Sequence, residues 1–540
     1  MMTQSDTPTG ARRPLRDRIA VALLLLLFTL VVRAIGWGPS VINPDESIFS
    51  LAAREVVNGY FPYLTLFDNK PVGSTLILAS AFALFGQSVL VTRLVGAAFA
   101  WASGMLLAAL ARAGGFGRAE ALVAGLVQIA YLSALGLGGQ ATLTEAMLTP
   151  FTVLAALLMQ RLVRTGSRRT RVLLALVAGL ACGVAVLIKI VPILPGLTIA
   201  AFTLLLAVLR GRTVGETGTA GEAGGVGLQG TPRTTLGDAV LLLAVFGAAA
   251  LVPMLAAAGV YAANGVFDRF WWSNFGFARA YAAIHPSPAT IAQRLGTTVD
   301  TIWPLLILSV VALLDMALTW RRGGAWRART SDLALVALAW LGAEVVTASA
   351  SLQFFPHYFL TILAPLVILS AFGIRAIARW MGTVDAGRAA LVLGALAALV
   401  AVERTQVDIA RDRLATPDIP RRVAAAIKGA GGQTGGRAPT LFVTNYKLSG
   451  IYLLTGSPLP PTRFAVPAHL FSRQSGMTGA DPQVEVAQVL AARPAFVVFD
   501  DAEPLPAWAQ AAFARVSSEY RPFFAQGTVR VLRRATGRSV

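Results

Sequence analysis

The first apolar run of the chain covers residues 19–36 and reads IAVALLLLLFTLVVRAIG, with one charged side chain, Arg33. A helix needs about 20 apolar residues to cross the hydrocarbon core of a bilayer, and this run is close to that length. No cleavage pattern of small residues follows it, so we interpret it as a retained anchor rather than a secretory signal. Further runs of the same kind predict an α-helical polytopic membrane protein with about eleven transmembrane helices. The other runs cover residues 90–111, 119–138, 147–160, 172–190, 192–209, 237–261, 299–320, 332–350, 358–378 and 388–402.

The amino-acid composition supports a membrane protein and excludes two other classes. Of the 540 residues, 56% are hydrophobic and 14% are charged, and the mean hydropathy is +0.66, which is too apolar for a soluble globular chain. The net charge of +19 does not indicate a nucleic-acid partner, because the basic residues stand in short clusters between the apolar runs. The single cysteine, Cys182, allows neither an intrachain disulfide nor a cysteine metal site.

The basic clusters also predict the topology. The apolar run 71–85 is only about 15 residues long and begins with proline, so we interpret it as a helix that lies on or dips into the outer leaflet. If this run does not cross, all the arginine-rich loops fall on the N-terminal side, as the positive-inside rule requires. If it crossed, every later loop would invert. We therefore expect a multi-pass protein of the bacterial inner membrane with a cytoplasmic N-terminus.

Two segments outside the spans differ in composition. Residues 211–230 are rich in glycine and are predicted to form a cytoplasmic linker. Residues 1–403 form the predicted transmembrane domain, and residues 404–540 are expected to form a small C-terminal α/β domain on the periplasmic side. The predicted elements of this domain are strands at 440–444 and 495–499, helices at 482–492 and 506–519, and a hairpin around Gln526-Gly527.

The first outer loop begins with a signal for the start of a helix. Asn43 is a typical N-cap, Pro44 suits the first helical position and Glu46 the third, and Gly59 closes a short amphipathic helix. One interpretation of Asp45 and Glu46 is that they complement the positive end of the helix dipole. The other is functional, because a carboxylate at the membrane surface is placed to take a proton from an acceptor hydroxyl or to orient a sugar.

Lys70 stands at the start of the next predicted helix, where a cation is unfavourable for the helix dipole. The Lys70 ammonium and the free backbone N–H groups of residues 72–74 would together bind a phosphate monoester. At this depth in the membrane the phosphate would belong to a lipid. The alternative is that Lys70 extends to the lipid headgroups or pairs with Asp68.

Other polar residues lie at the outer ends of predicted spans. Glu145 is predicted either to cap the helix that follows it or to share a cavity with Asp45, which would provide paired carboxylates for binding and deprotonating an acceptor. Lys189, His357 and Tyr358 are candidates for lining the same cavity, or else they anchor the spans at the interface.

The second long outer loop contains an aromatic cluster within residues 270–281, which reads FWWSNFGFARAY. Such a cluster is typical of the aromatic belt at a membrane interface. Aromatic rings also suit contact with a lipid or a sugar, and the sequence leaves both interpretations open.

These residues resemble those of the polyprenyl-phosphate-dependent glycosyltransferases of the GT-C fold. This group includes dolichyl-phosphate-mannose protein mannosyltransferases, the lipid A aminoarabinose transferase and rhizobial lipopolysaccharide galacturonosyltransferases. The resemblance extends over roughly residues 19–380. Its matching pieces are Pro44-Asp45-Glu46, Lys70-Pro71, Gly86, Arg93, Glu145, Lys189, Pro356-His357-Tyr358-Phe359-Leu360 and Ala364-Pro365. The resemblance implies that Asp45 is the essential acidic residue and that Lys70 contacts the phosphate of the carrier.

The predicted reaction is the direct transfer of a sugar with inversion at the periplasmic face. Lys70 would hold the leaving phosphate, Asp45 would act as the base or orient the acceptor, and Glu145 would be the second carboxylate. The candidates for lining the substrate site are Glu46, Asp68, Lys189, His357 and Tyr358. The partners would be a polyprenyl-phosphate sugar and a lipid, glycan or protein acceptor. A divalent metal near Asp45 stays open, because no ligand spacing argues for one.

Two other classes of function remain to be considered. A multi-span transporter or a flippase for lipid-linked sugars would also carry polar residues between its spans. It predicts inverted repeats and charges at mid-membrane, whereas the candidate charges here cluster at the outer ends of spans. A third interpretation is an assembly or sensor protein that uses its C-terminal tail as a binding module.

Overall fold

A computed structural model of the chain describes residues 12–216, 234–281, 283–321, 329–382, 384–415, 417–431, 438–472 and 474–535. Most of the predicted glycine-rich linker lies outside these residues. The helices up to residue 415 are α1 (Arg12–Ala34), α2 (Pro44–Val57), α3 (Gly73–Phe85), α4 (Val89–Ala113), α5 (Arg118–Leu132), α6 (Thr144–Leu162), α7 (Arg168–Ile188), α8 (Ile193–Glu216), α9 (Leu236–Ala263), α10 (Phe267–Trp271), α11 (Phe277–Tyr281), α12 (Pro288–Arg321), α13 (Arg329–Ser349), α14 (Leu363–Met381), α15 (Ala386–Ala389) and α16 (Ala395–Ala415). Two π-helical stretches, Trp272–Gly276 and Ala390–Gly394, join α10 to α11 and α15 to α16.

Within the described residues, nine helices are long and apolar enough to cross a membrane. These candidate spans are Arg16–Trp37, Val89–Ala113, Arg168–Ile188, Ile193–Arg210, Leu236–Ala263, Pro288–Arg321, Asp332–Ser349, Leu363–Met381 and Ala386–Asp412. The sequence predicted about eleven, and the other two correspond to α5 and α6. The helix α5 has 15 residues, which is about 22 Å at 1.5 Å per residue, and α6 includes Glu145, Gln160 and Arg161. Both helices are largely buried in the bundle, and their crossing of the membrane stays a prediction.

The loop predicted to be the first outer loop folds as its sequence signals predicted. The side chain of Asn43 accepts a hydrogen bond from the backbone N–H of Asp45 at 2.9 Å, Pro44 is the first residue of α2, and Gly59 has a φ of +92° after the helix. The next helix, α3, has 13 residues and a length of about 20 Å. This helix is too short to cross the hydrocarbon core, as the short apolar run predicted.

The part of the chain after α16, residues 417–535, forms the C-terminal domain. Its helices are α17 (Ile419–Gly431), α18 (Gly450–Thr455), α19 (Ala468–Phe471), α20 (Pro482–Ala491) and α21 (Ala507–Val516), and its strands are β1 (Leu441–Val443), β2 (Phe496–Asp500), β3 (Tyr520–Gln526) and β4 (Val529–Arg534). The sheet order is β1-β2-β4-β3, in which β1 and β2 are parallel and the other pairs are antiparallel. The predicted strands, helices and closing hairpin are confirmed. The preceding helix, α16, continues to Ala415, beyond the boundary predicted after residue 403.

The helix α2 joins the membrane part to the C-terminal domain. Leu51 and Ala52 of α2, and Leu66 in the loop after it, belong to the same buried core as the strands of the domain. Arg54 is buried, and its Nη1 donates to the carbonyl oxygens of Tyr452 at 3.0 Å and Ser457 at 2.8 Å. The second half of α2 is therefore packed against the C-terminal domain.

Candidate functional site

A cavity of about 960 Å³ lies where the loops predicted to be on the outer side meet the C-terminal domain. Its wall is built from the first outer loop, the segment between α5 and α6, the end of α7, the loop around α11, the turn before α14 and the C-terminal domain. The residues predicted from the sequence that line it are Asp45, Asp68, Lys70, Glu145, Lys189, His357 and Tyr358. Asp45 and Glu145 thus face one cavity, a question that the sequence left open.

Asp45 and Lys70 form a loose ion pair on the cavity wall. The Lys70 Nζ lies 3.6 Å from Asp45 Oδ2 and 4.6 Å from the centre of the Phe49 ring, and the side chains of Asp45 and Lys70 keep 31% and 17% of their surface exposed. Burial lowers the pKa of Lys70, but the carboxylates of Asp45 and Asp68 outweigh this effect and raise the pKa above its usual value. The Lys70 side chain is therefore an ammonium ion that is accessible from the cavity.

Asp68 is buried beside this pair. Its Oδ2 has no hydrogen-bond partner within the described part of the chain. Burial raises the pKa of Asp68, and the nearby Asp45 adds to this effect while Lys70 opposes it. The alternative that Lys70 pairs with Asp68 differs from the structure, in which the ion pair of Lys70 is with Asp45.

Glu145 and Lys189 form a second, tighter ion pair. Glu145 Oε1 bonds the Lys189 ammonium, and its Oε2 accepts a hydrogen bond from the Thr144 hydroxyl at 2.9 Å. Lys189 follows the last residue of α7, and its Nζ lies 4.0 Å from the centre of the Tyr358 ring. The ring of Tyr358 in turn contacts His357 edge to face, with their centroids 4.8 Å apart. Both oxygens of Glu145 are thus occupied, in contrast to those of Asp45.

Glu46 differs from its prediction as a residue that lines the substrate site. The cavity wall, within the described residues, does not include Glu46. Its carboxylate is buried against Arg93, whose Nε lies 2.6 and 2.7 Å from the two oxygens, and it also accepts the backbone N–H of Thr142 at 2.6 Å. Glu46 therefore ties α2 to α4 and to the segment before α6. The prediction failed because successive residues of a helix point about 100° apart.

The predicted phosphate site at the start of α3 is also different in part. Asn69, Lys70 and Pro71 line the cavity, but the residues whose N–H groups were expected to contribute, 72–74, do not belong to the described wall. Val72, Gly73 and Ser74 are buried, and a Cβ added to Gly73 would lie 2.6 Å from the carbonyl oxygen of Leu187. The start of α3 packs against the end of α7, so those N–H groups are not presented to the cavity.

Several residues of the wall were not singled out from the sequence. Asn274, Phe277 and Tyr281 come from the aromatic cluster, which the sequence left open to either interpretation. Trp271, by contrast, is more than half exposed, and its place in an aromatic belt stays a prediction. The C-terminal domain adds Thr444, Asn445, Tyr446, His469, Gln474 and Glu503. These residues lie hundreds of positions from Asp45, and no local pattern indicates which surface of the domain packs against α2. In the described part of the chain, no group of three or more His, Cys, Asp or Glu side chains is arranged to hold a metal ion.

Comparisons with known proteins agree on the fold. A sequence model of the family described as dolichyl-phosphate-mannose-protein mannosyltransferase matches residues 69–228, a stretch that contains Lys70, Glu145 and Lys189. No curated protein sequence matches the chain significantly. Among solved structures, the chain is similar to ArnT from Cupriavidus metallidurans bound to undecaprenyl phosphate, with a TM-score of 0.62, and to the apo state of the same protein, with a TM-score of 0.61. In both comparisons the sequence identity is 16%, and the match covers 97% of this chain and 98% of the other. The chain therefore has the GT-C fold that the resemblance implied.

Proposed function

We propose that this protein transfers a glycosyl group from a polyprenyl-phosphate sugar to a lipid, glycan or protein acceptor at the periplasmic face of the bacterial inner membrane. The observation that carries the proposal is the loose pair of Asp45 and Lys70 on the wall of a large cavity. It combines a cation for the leaving phosphate with a carboxylate for the acceptor. In ArnT from Cupriavidus metallidurans the same fold has been crystallised with undecaprenyl phosphate, and this supports a lipid phosphate as the carrier here.

Lys70 is the group that we assign to the phosphate of the donor. Its ammonium remains charged, it is accessible from the cavity, and its bond to Asp45 is long enough to exchange for a phosphate oxygen. A charge-assisted hydrogen bond between nitrogen and oxygen is about 2.7–2.9 Å long, which is shorter than the 3.6 Å measured here. Binding of the donor would therefore free the Asp45 carboxylate at the moment when the sugar enters.

We assign Asp45 the role of the base that takes the proton from the acceptor hydroxyl. The acceptor hydroxyl oxygen attacks the anomeric carbon from the side opposite the phosphate and forms the new glycosidic bond with inversion. The bond between the anomeric carbon and the phosphate oxygen breaks, and its electron pair leaves with the polyprenyl phosphate. The hydroxyl proton passes to Asp45, which has free oxygen lone pairs, and the negative charge of the leaving phosphate is stabilised by Lys70.

Glu145 and Lys189 complete the charged wall. Because Lys189 and Thr144 occupy both oxygens of Glu145, we assign this carboxylate to positioning Lys189 rather than to proton transfer. Lys189 then provides a second cation toward the phosphate, and the ring of Tyr358 beneath it limits its movement. His357 and Tyr358 are assigned to lining the donor.

The test is transfer of radiolabelled sugar by the purified protein in lipid nanodiscs. Polyprenyl-phosphate sugars serve as donors and membrane lipid extracts as acceptors, and the wild type is compared with Asp45→Asn and Lys70→Ala. We expect Asp45→Asn to lose transfer by about 100-fold or more while it still binds polyprenyl phosphate, because a positioned base typically contributes 10²–10⁴ in rate. Lys70→Ala should lose both binding and transfer.

Two variants at residues outside the cavity wall serve as matched controls. Asp268→Asn and Lys428→Ala change the same charges at exposed positions and should transfer sugar as the wild type does. Normal transfer by both site variants would disprove the assignment of Asp45 and Lys70. Movement of labelled lipid across the bilayer without a new glycosidic bond would instead support the transporter or flippase.

A further inference from the structure

Three residues of the cavity wall each carry a buried polar atom that lacks a hydrogen-bond partner among the residues that the structure describes. These atoms are Asp68 Oδ2, Asn274 Oδ1 and His469 Nδ1, and each of the three residues is more than nine-tenths buried. Buried polar atoms are paired in the great majority of cases, so unpaired ones in residues that line a cavity indicate a ligand that supplies the missing bonds. Asp68 comes from the first outer loop, Asn274 from the aromatic cluster within residues 270–281, and His469 from the C-terminal domain.

The three residues lie beside a compact group of rings, formed by Phe67, Phe277 and His469 itself. The ring of Phe67 lies 5.3 Å from that of Phe277 and 5.0 Å from the imidazole of His469, and Phe277 lies 5.6 Å from His469. Asp68 directly follows Phe67, and Asn274 stands one turn before Phe277 on the same helical segment. Apolar ring faces with a few fixed polar atoms suit a sugar, whose C–H faces are apolar and whose rim carries hydroxyl groups.

Two of the three unpaired atoms, Asp68 Oδ2 and Asn274 Oδ1, are oxygens that can accept a hydrogen bond from a ligand. The amide of Asn274 is oriented by its Nδ2, which donates to the Phe270 carbonyl at 2.7 Å and leaves Oδ1 free. Burial, together with the charge of Lys70, lowers the pKa of His469 to about 4 against the opposing effect of Asp45, so the imidazole is neutral at neutral pH. Its unpaired Nδ1 then either accepts or donates one hydrogen bond, according to the tautomer. The ligand must therefore present donors, such as hydroxyl or ammonium groups, to Asp68 and Asn274, and a hydroxyl group fits either tautomer of His469.

Asp68 and His469 adjoin Lys70, the residue that we assign to the phosphate of the donor. Asp68 lies two residues before Lys70, and His469 is close enough for the charge of Lys70 to affect its protonation. In a polyprenyl-phosphate sugar the ring is bonded directly to the phosphate, so the donor sugar must lie next to Lys70. A sugar that carries its own carboxylate would meet Asp45 and Asp68 there in addition to the phosphate charge, and this repulsion is unfavourable in a buried site.

We infer that Asp68, Asn274 and His469 form the subsite for the donor sugar, and that this subsite selects neutral or amino sugars over uronic acids. The inference rests on the proposed function and adds the substrate class. It also gives the C-terminal domain a role, since His469 completes a sugar site whose other two residues belong to the membrane part. Asp68, Asn274 and His469 are then specificity-determining residues.

The experiment separates binding of the sugar from binding of the carrier. The variants Asp68→Asn, His469→Leu and His469→Gln are compared with the wild type for donor KM and kcat and for affinity toward sugar-free undecaprenyl phosphate. We expect Asp68→Asn and His469→Leu to raise the donor KM about tenfold, with a smaller change in kcat, while the sugar-free carrier binds within twofold of wild type. His469→Gln, which keeps an acceptor atom, should recover most of the loss. The matched control is His285→Leu at an exposed histidine outside the cavity wall, and it should leave both quantities unchanged.

The possible results distinguish failure of the sugar subsite from failure of the proposed function. If the wild type transfers sugar and both Asp68→Asn and His469→Leu keep the wild-type donor KM, the subsite is wrong while the proposed function stands. If the wild type transfers sugar from no polyprenyl-phosphate donor, the proposed function itself is wrong. Turnover of a uronic-acid donor as efficient as that of the matching neutral sugar would overturn the selectivity. Donor binding that a chelator abolishes and a divalent metal restores, in the wild type but not in the variants, would show that these atoms hold a metal and would overturn the sugar assignment.

Discussion

Asp45 and Glu46 are neighbours in the sequence, but their carboxylates lie in different surroundings. Asp45 faces the cavity and pairs loosely with Lys70, whereas Glu46 points into the protein and is bound by Arg93 and by the backbone of Thr142. The first is suited to exchange its partner for a substrate group. The second has no oxygen to spare, and its contribution is to hold α2 in place so that Asp45 reaches the cavity.

Removal of the Glu46 carboxylate is therefore expected to affect stability before chemistry. Glu46→Ala leaves the Arg93 guanidinium buried without its anion, and breaking a buried ion pair on one side costs about 3–5 kcal/mol. The measurement is unfolding of the purified protein in detergent, by heat or by denaturant. Asp45→Ala is the adjacent control, and because Asp45 is partly exposed its unfolding should lie within about 1 kcal/mol of the wild type. Equal unfolding of Glu46→Ala and the wild type would contradict this role.

The position of Lys70 depends on how closely α3 approaches α7. A Cβ at Gly73 would meet the backbone of Leu187 and Ile188 at 2.6–2.9 Å, so only glycine permits this contact. Lys70 lies three residues before Gly73, and Lys189 follows directly after Ile188. The contact between α3 and α7 at Gly73 therefore sets the position of Lys70 relative to Lys189.

Substitution at Gly73 is expected to displace Lys70 without touching it. Gly73→Ala should force α3 away from α7, lower stability by about 1–3 kcal/mol and weaken the binding of polyprenyl phosphate. The measurements are the unfolding transition and the affinity for sugar-free carrier. Gly259→Ala in α9 is the control, because open space surrounds that position, so an added methyl group should neither lower stability nor change the carrier affinity. If Gly73→Ala binds the carrier as tightly as the wild type does, the position of Lys70 does not depend on this contact.

Local signals in the sequence predict the helices well, but they do not predict contacts between distant segments. The long apolar runs become helices because a bilayer leaves no other way to satisfy their backbone groups, and Asn43-Pro44 sets the start of α2 through local capping. The exclusion of residues 72–74 from the cavity could not be predicted, because it arises from α3 packing on α7, far apart in sequence. Asn274 and His469 were not identified for the same reason: their neighbours are set by tertiary packing, not by a local pattern.

For the whole molecule, the cavity depends on the C-terminal domain being docked on α2. Arg54 is the most specific link, since its guanidinium donates to the carbonyls of Tyr452 and Ser457 and is also bonded to Glu55. Leu51 and Ala52 add apolar contacts on the same side. The wall that bears His469 is therefore only as firmly placed as this interface.

Loss of the Arg54 contacts is expected to loosen the domain. Arg54→Met removes hydrogen bonds to a charged donor and should cost about 1.5–3 kcal/mol, seen as faster proteolysis between α16 and the C-terminal domain and as a higher donor KM. The matched control is Arg118→Met, an exposed arginine whose ion pair with Asp17 is at the surface. Proteolysis and KM equal to those of the wild type would mean that the apolar contacts alone hold the domain.

The orientation of the whole chain in the membrane is the prediction on which a periplasmic reaction depends. The arginine-rich loop before α7 is expected in the cytoplasm, and the cavity and the C-terminal domain are expected outside. Because the native Cys182 is buried, single cysteines introduced as Thr170→Cys and Gln483→Cys at exposed positions report on the two ends separately. In intact cells a membrane-impermeant maleimide should label Gln483→Cys and spare Thr170→Cys, and lysis should make both reactive. The unmodified chain is the control for labelling of Cys182. Labelling of Thr170→Cys alone in intact cells would place the cavity in the cytoplasm, where a lipid-linked donor would have to be used on the opposite leaflet, and the assigned reaction at the outer face would fail.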